Sequence, residues 1–264
     1  MAITTFDDYL DAKKQTIFRL CGARGVSAQV WVTNFGANGS DPSGAVLAGT
    51  STTAGVVPTD ADAGFSVIEA FDSGATGYLS KVEVMGTVAC RYAVFDLLFK
   101  AGAYAHNTNT GLTSQPSFAG RLPGTDYTGL EIWVETVTTT GGSLAVEVTY
   151  TNEGGTGSRS TGAVVGPSGT ALGRCWQLPL QGGDKGVQTI DNVEGTGGSS
   201  GTFNVLIMRR LWSGRLSVTN KHLFSDLAAT GLPRVYEDSA LYVLGQPDST
   251  GTGSYEILFE IANG

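Results

Sequence analysis

Ionic and reactive side chains are scarce in this chain. Of 264 residues only 15% are charged, with 16 Lys and Arg against 24 Asp and Glu, and there are two His and three Cys. The net charge is −8. No basic stripe is available to grip a phosphate backbone, so a nucleic-acid partner is not expected. Cys21, Cys90 and Cys175 lie far apart with no CxxC spacing, which fits reduced, buried thiols rather than a disulfide framework or a zinc site. No apolar run approaches the length that spans a bilayer, and Asp7 and Asp8 stand where a secretion signal carries Lys or Arg. A protein synthesised in a cytoplasm, with no membrane partner, is expected. Few charges combined with 38 Gly and much Ser and Thr disfavour long helices and favour strands and turns.

One helix is expected, over residues 4–20, "TTFDDYLDAKKQTIFRL". Thr5 is its N-cap and Asp8 completes a variant capping box. Phe6, Tyr9, Leu10 and Ile17 form an apolar stripe, read as a partner-binding surface, and Cys21-Gly22 stops the helix. After Gly22 the pattern is strands and loops. Strands are expected at 27–35, 65–71 and 79–100, the last interrupted at Gly86. Residues 130–137 and 144–150 read as a hairpin through "TTTGG", and 241–244 with 255–261 as a closing hairpin. Residues 203–212 are apolar on both faces, the mark of a central strand. Many short strands with Gly-rich turns imply an all-β fold, a jelly-roll-like β-sandwich with one N-terminal amphipathic helix and long loops. The expected organisation is a helical arm (1–22), a strand with an extended Gly/Ser/Thr-rich arm (23–64) and a sandwich domain (65–264). Residues 36–64 are too long for an ordinary connection and read as an extended or functional loop. The soft loop 154–162 is expected to settle on a neighbouring subunit or stay mobile.

Catalytic motifs fail on context. Gly197-Gly198-Ser199-Ser200-Gly201 matches GxSxG, but a strand follows it where a nucleophile elbow needs a helix. His222 lies close in sequence to Ser225 and Asp226, which does not establish a triad; His106 lies in a polar loop. Asp60, Asp62 and Gly64 resemble half a calcium loop, with the glycine misplaced and no closing Glu. Gly154, Gly155 and Gly157 lack the Lys-Ser/Thr of a phosphate loop. No catalytic residue, cofactor or metal is therefore expected, and the chain reads as a non-enzyme. Trp133 shares a strand face with Glu131 and Glu135, opposite Leu130, Ile132 and Val134, and is the best tryptophan for an interface contact.

Four stretches in order, "VFDLLFKAGAY" (94–104), "GLEIWVETVTTTGGSLAVEVTYTNEGGTGSRST" (129–161), "GRCWQLPLQGGDKGVQTIDNV" (173–193) and "GTGGSSGTFNVLIMRRL" (195–211), resemble tailed-bacteriophage virion proteins. The opening "MAITTFDDYLDAKKQ" resembles starts in the same group. The resemblance covers roughly residues 65–215. It implies a head decoration or cement protein on the capsid surface of the virion, made in the host cytoplasm. Its implied partners are the major capsid protein and further copies of itself in a homo-oligomer. The alternative is a tail or fibre adhesion module binding host glycans through exposed aromatics. The resemblance carries no catalytic residues.

Overall fold

Period-two alternation dominates the chain after its first dozen residues, and the computed structural model, which describes residues 3–33, 49–167 and 171–264, turns it into strands. In order the elements are α1 (Phe6–Asp11), β1 (Lys13–Val26), β2 (Trp31–Thr33), β3 (Gly77–Gly86), β4 (Cys90–Ala105), β5 (Asn109–Gly111), two short 3-10 turns (Ala119–Arg121 and Pro123–Thr125), β6 (Leu130–Gly141), β7 (Ala145–Asn152), β8 (Arg159–Ser160), β9 (Val164–Val165), β10 (Arg174–Leu178), β11 (Val187–Thr196), β12 (Ser200–Leu216), β13 (Lys221–Ser225), α2 (Leu227–Thr230), β14 (Arg234–Val235), β15 (Leu241–Pro247) and β16 (Gly251–Asn263).

The expected all-β, sandwich-like class stands, and its middle layer is a closed barrel. Six antiparallel strands close it in the order β10-β2-β15-β4-β12-β6. A terminal sheet, β1-β16-β3-β13, covers one part of the barrel's outer surface, and a second sheet, β5-β11-β7-β8, covers another. Three apolar cores follow. Phe95, Leu97, Trp133, Leu206, Met208 and Leu244 fill the barrel. Tyr92, Val94, Trp212 and Val243 on its outside meet Ile17, Val82, Val84, Ile257 and Phe259 of the terminal sheet. Ile132, Val134, Val205 and Ile207 meet Val146, Val148, Tyr150 and Ile190 of the second sheet. β12 contributes to all three cores, which is why residues 203–212 are apolar on both faces.

Four expectations are corrected. The helix ends at Asp11, and residues 13–26 form a strand paired in antiparallel with β16. Gln15, Ile17, Arg19 and Cys21 alternate inward there, so Ile17 belongs to the terminal-sheet core and not to a helical stripe. The expected arm 1–22 is thus largely part of the sheet. Residues 130–137 and 144–150 do not pair: β6 is in the barrel and β7 in the second sheet. Their apolar faces stack across a shared core, and the chain turns between layers at Gly142, whose φ of +73° a residue with a Cβ rarely adopts. The supposed closing hairpin is likewise a change of layer, since β15 is in the barrel and β16 in the terminal sheet. Residues 65–71 form no ladder. They run as an extended strap beneath β1, where Glu69 exchanges two hydrogen bonds with the Gln15 side chain (2.8 and 3.1 Å) and Gly64 O accepts from Arg19 Nη2 (2.7 Å).

The long loop at 36–64 is described only from Gly49 onward, and that part is bound to the barrel. Gly49 N donates to Asn204 Oδ1 (2.8 Å), Val56 bridges Lys100, and Thr52 O accepts from the Tyr104 hydroxyl (2.8 Å). Residues 36–48 lie outside the described residues. The soft 154–162 loop is anchored too. Asp184, its side chain 3% exposed, accepts from the Tyr150 hydroxyl (2.6 Å), Asn152 Nδ2 (2.8 Å) and Arg159 Nε (2.9 Å). The Arg159 guanidinium, joined by the Tyr150 and Asn152 donors, holds that carboxyl far below the usual carboxylate range.

Two buried polar clusters pin the layers. Asp96 lies opposite Arg209 in the β4–β12 ladder, between Val94 of one interlayer core and Leu98 of the other. It accepts from Arg121, from Arg209 Nη2 (3.2 Å) and from Ser239 Oγ (2.9 Å). Inside the barrel, Glu135 accepts from Asn204 Nδ2 (2.8 Å) and from the Tyr242 hydroxyl, with Lys100 Nζ at 3.7 Å. A bulge puts Lys100 there. Met208 pairs with Leu97 but Ile207 with Phe99, so Leu98 is an extra residue and the facing reverses beyond it.

Candidate interaction face

Local sequence places α1 against the outer surface of the terminal sheet. Thr5 and Asp8 form the expected capping box, and Lys14 Nζ donates to the carbonyls of Tyr9 (2.7 Å), Leu10 (3.3 Å) and Ala12 (3.2 Å), satisfying the other end. Tyr9 is half-buried; its hydroxyl donates to Glu260 Oε1 (2.9 Å) on β16 and its ring lies under Lys14 Nζ. Phe6 and Leu10 remain 59% and 57% exposed. Hydrogen bonds from Thr4, and then from Thr5, hold the Asp8 carboxyl at about 2. A carboxyl depressed on folding stabilises the folded form above its unfolded value, and that contribution disappears as pH falls through about 2. Carboxyl-carbon NMR is expected to show Asp8 titrating near 2; a midpoint in the ordinary range would mean that the box does not form in solution.

Beside α1 the strand registers assemble rows of outward side chains. One row is Leu20, Glu256, Met85 and His222; the next is Phe18, Leu258, Glu83 and Phe224; a third is Thr16, Glu260 and Lys81. Phe6, Leu10, Phe18, Met85 and Phe224 are five of the eight large apolar side chains exposed among the described residues, so exposure is concentrated on this one side. Four of its polar groups pair internally, Lys81 with Glu83 (3.0 Å) and Glu260 (3.9 Å), and His222 Nε2 with Glu83 (3.3 Å), while Glu256 has no ion pair among the described residues. The Lys81 hydrogen bond, aided by the Lys81 and His222 charges, keeps the Glu83 carboxyl below its ordinary range despite partial burial. At one end Leu20, Met85, Asn220, His222 and Glu256 line an open groove of about 480 Å³. An apolar surface whose charges are mostly paired suits a protein contact, because docking leaves few ions to desolvate unpaired.

The other candidates go elsewhere. Trp133 is 1% exposed inside the barrel, edge-on to Trp31 and Phe95, with Nε1 donating to Glu131 Oε2 (2.8 Å). The face it shares with Glu135 is the barrel interior, so the surface-contact expectation is corrected. Ile17 is equally internal. Of the predicted partner-binding residues, Phe6, Tyr9 and Leu10 come together on the candidate face. Phe18, Met85 and Phe224 were missed; their signal is an apolar residue at the outward position of an alternating strand. Ser225 is buried and His222 exposed on opposite faces of β13, while Asp226 caps α2, so these three do not form a triad. The GxSxG stretch is the turn from β11 to β12, strand to strand. Asp62 accepts from Thr59 N within a turn, and Asp60 from Ile68 N eight residues on (both 2.8 Å), so both carboxylates hold backbone. None of the three cysteines forms a disulfide, and burial pushes the Cys90 thiol up to about 12. Among the described residues no group of three or more His, Cys, Asp or Glu could hold a metal ion, and no helix is long and apolar enough to cross a membrane.

No protein-family model and no curated protein matches this chain. Solved structures that overlap it include that of infectious bursal disease virus, Gt strain, at 9% identity and a TM-score of 0.19, covering 96% of this chain and 81% of that one. The VP2 subviral particle of infectious bursal disease virus overlaps at 9% identity and a TM-score of 0.20, over 95% of this chain and 80% of the other. Overlap at these scores carries no argument about how the chain folds or what it does.

Proposed function

We propose that this chain is a structural virion protein that decorates a tailed-phage capsid, docking on the major capsid protein through α1 and the outer face of the terminal sheet. The observation that carries the reading is the concentration of exposed Phe6, Leu10, Phe18, Met85 and Phe224 on one side. The resemblance of the 94–211 stretches to phage virion proteins supports the choice of partner. These stretches form barrel and second-sheet strands, whereas those five exposed side chains lie on α1 and the terminal sheet. Weak contacts repeated over a shell become effective through multivalency. Burial of Trp133, Trp176 and Trp212 leaves the glycan-binding alternative only the half-buried Trp31 among the tryptophans, with Phe6, Phe18 and Phe224 as exposed aromatics.

The test is co-sedimentation of the full chain with shells lacking it. A Phe6→Ser/Leu10→Ser variant is expected to lose at least about tenfold in affinity, in the range of a small interface hot spot. Retention is expected to change little across a salt series, because the face is largely apolar and most of its charges are paired with one another. Unchanged binding by the variant, or release at moderate salt, would refute this mode of attachment.

A further inference from the structure

We propose that Lys100 and Asn204 join inside the barrel through an isopeptide bond that the folded chain forms by itself, with Glu135 moving the protons. The three residues stand on the adjacent strands β4, β12 and β6 and face inward. Asn204 pairs with Glu135 in the β12–β6 ladder, and Lys100 pairs with Leu206, two residues further along β12. Leu206 points into the barrel core, so Asn204 on its own strand and Lys100 across the ladder share that face. The bulge at Leu98 is what turns this lysine inward. One carboxylate oxygen then gathers the reacting groups: Glu135 Oε2 lies 2.8 Å from Asn204 Nδ2 and 3.7 Å from Lys100 Nζ.

In water an amine of this kind is protonated and an amide is a poor electrophile, so the two do not react. Both obstacles are reduced here. Asn204 is fully buried, Glu135 is 1% exposed and the Lys100 side chain 12%. Away from water separated charges are costly, and passing a proton from Nζ to Glu135 leaves a neutral amine beside a carboxylic acid. The Gly49 N–H donates to Asn204 Oδ1 (2.8 Å), where negative charge gathers as Nζ attacks. Gly102 lies against the same oxygen, so closely that a Cβ there would strike Oδ1. Nζ forms the bond to Asn204 Cγ and the Cγ–Nδ2 bond breaks. Glu135, already hydrogen-bonded to Nδ2, delivers its proton to that leaving nitrogen and takes the surplus one from Nζ. The products are a secondary amide and one ammonia, which departs with the last proton as ammonium, so atoms and charge balance without a co-reactant. The bond ties β4 to β12 across their ladder. It lies inside the barrel, away from α1 and the outer face of the terminal sheet, and stands or falls independently of capsid attachment.

Intact mass spectrometry of the purified full chain is expected to give a mass lower than that of the sequence by one ammonia. Succinimide formation at any asparagine loses the same mass, so the decisive reading is a branched peptide in the digest that joins the segments around Lys100 and Asn204. Asn204→Asp is expected to lose one water instead and to yield the same branched peptide. Lys100→Arg and Glu135→Gln are expected to keep their full mass, and the milder Glu135→Asp to link more slowly than the native chain. A native chain of full mass, or an ammonia loss without the branched peptide, would overturn the bond whatever the variants do. Linkage in Glu135→Gln, or a native rate in Glu135→Asp, would overturn the role of the carboxylate.

Discussion

Replacing Asp96 with alanine is expected to cost about 3–5 kcal/mol, the penalty for removing one partner of a buried ion pair. The side chain is fully buried and faces two arginines, of which Arg121 is itself buried. Removing the carboxylate strands the Arg121 guanidinium among apolar groups, with the Pro58 and Leu97 carbonyls as its remaining partners. The effect should exceed that of Arg209→Ala, because Arg209 is nearer solvent and its loss leaves Asp96 still paired with Arg121 and Ser239. Urea unfolding of the two variants measures both. A loss below about 1 kcal/mol for Asp96→Ala, typical of a surface ion pair, would show that the seam is wet and the cluster dispensable.

Trp133→Ala is expected to be comparably severe, about 3–5 kcal/mol as for large aromatic truncations in packed cores. It would empty the middle of the barrel, unstacking Trp31 and Phe95 and freeing Glu131 from the indole N–H. A surface change such as Phe18→Ser should fall within about 0.5 kcal/mol. Thermal unfolding separates the two at once. If Trp133→Ala kept wild-type stability and lost only capsid binding, Trp133 would be a contact residue after all and the barrel packing described above would be wrong.

Much of the fold was legible in the sequence by itself. Scarce charge with abundant Gly, Ser and Thr implied an all-β chain; Thr5 and Asp8 marked a capped helix start; and the double-faced apolarity of 203–212 marked a strand covered on both sides. These are local properties, set by side-chain period and by nearby hydrogen bonds. The end of the helix was less legible, because Phe6, Tyr9, Leu10 and Ile17 satisfy a helical spacing while Gln15, Ile17, Arg19 and Cys21 satisfy a strand spacing. Pairing with β16, twelve residues long and more than two hundred residues away, decides between them.

Layer assignment was not legible. Alternation tells which residues share a face but not whether the next strand lies beside that face or on top of it. Leu130, Ile132 and Val134 meet Val146, Val148 and Tyr150 across a core rather than along a ladder, and the same holds between β15 and β16. Trp133 illustrates the consequence: beside Glu131 and Glu135 its face reads as polar and outward, yet closure of the barrel makes that face an interior, with Asn204, Tyr242 and Lys100 supplying partners for Glu135. Phe18, Met85 and Phe224 became one surface only when β1, β16, β3 and β13 lined up, because their registers are fixed by contacts between distant parts of the chain. The sequence by itself determined the strands and their apolar faces. Tertiary structure decided which faces close on one another and which remain for a partner, since burial belongs to pairs of faces and a single strand encodes only one of them.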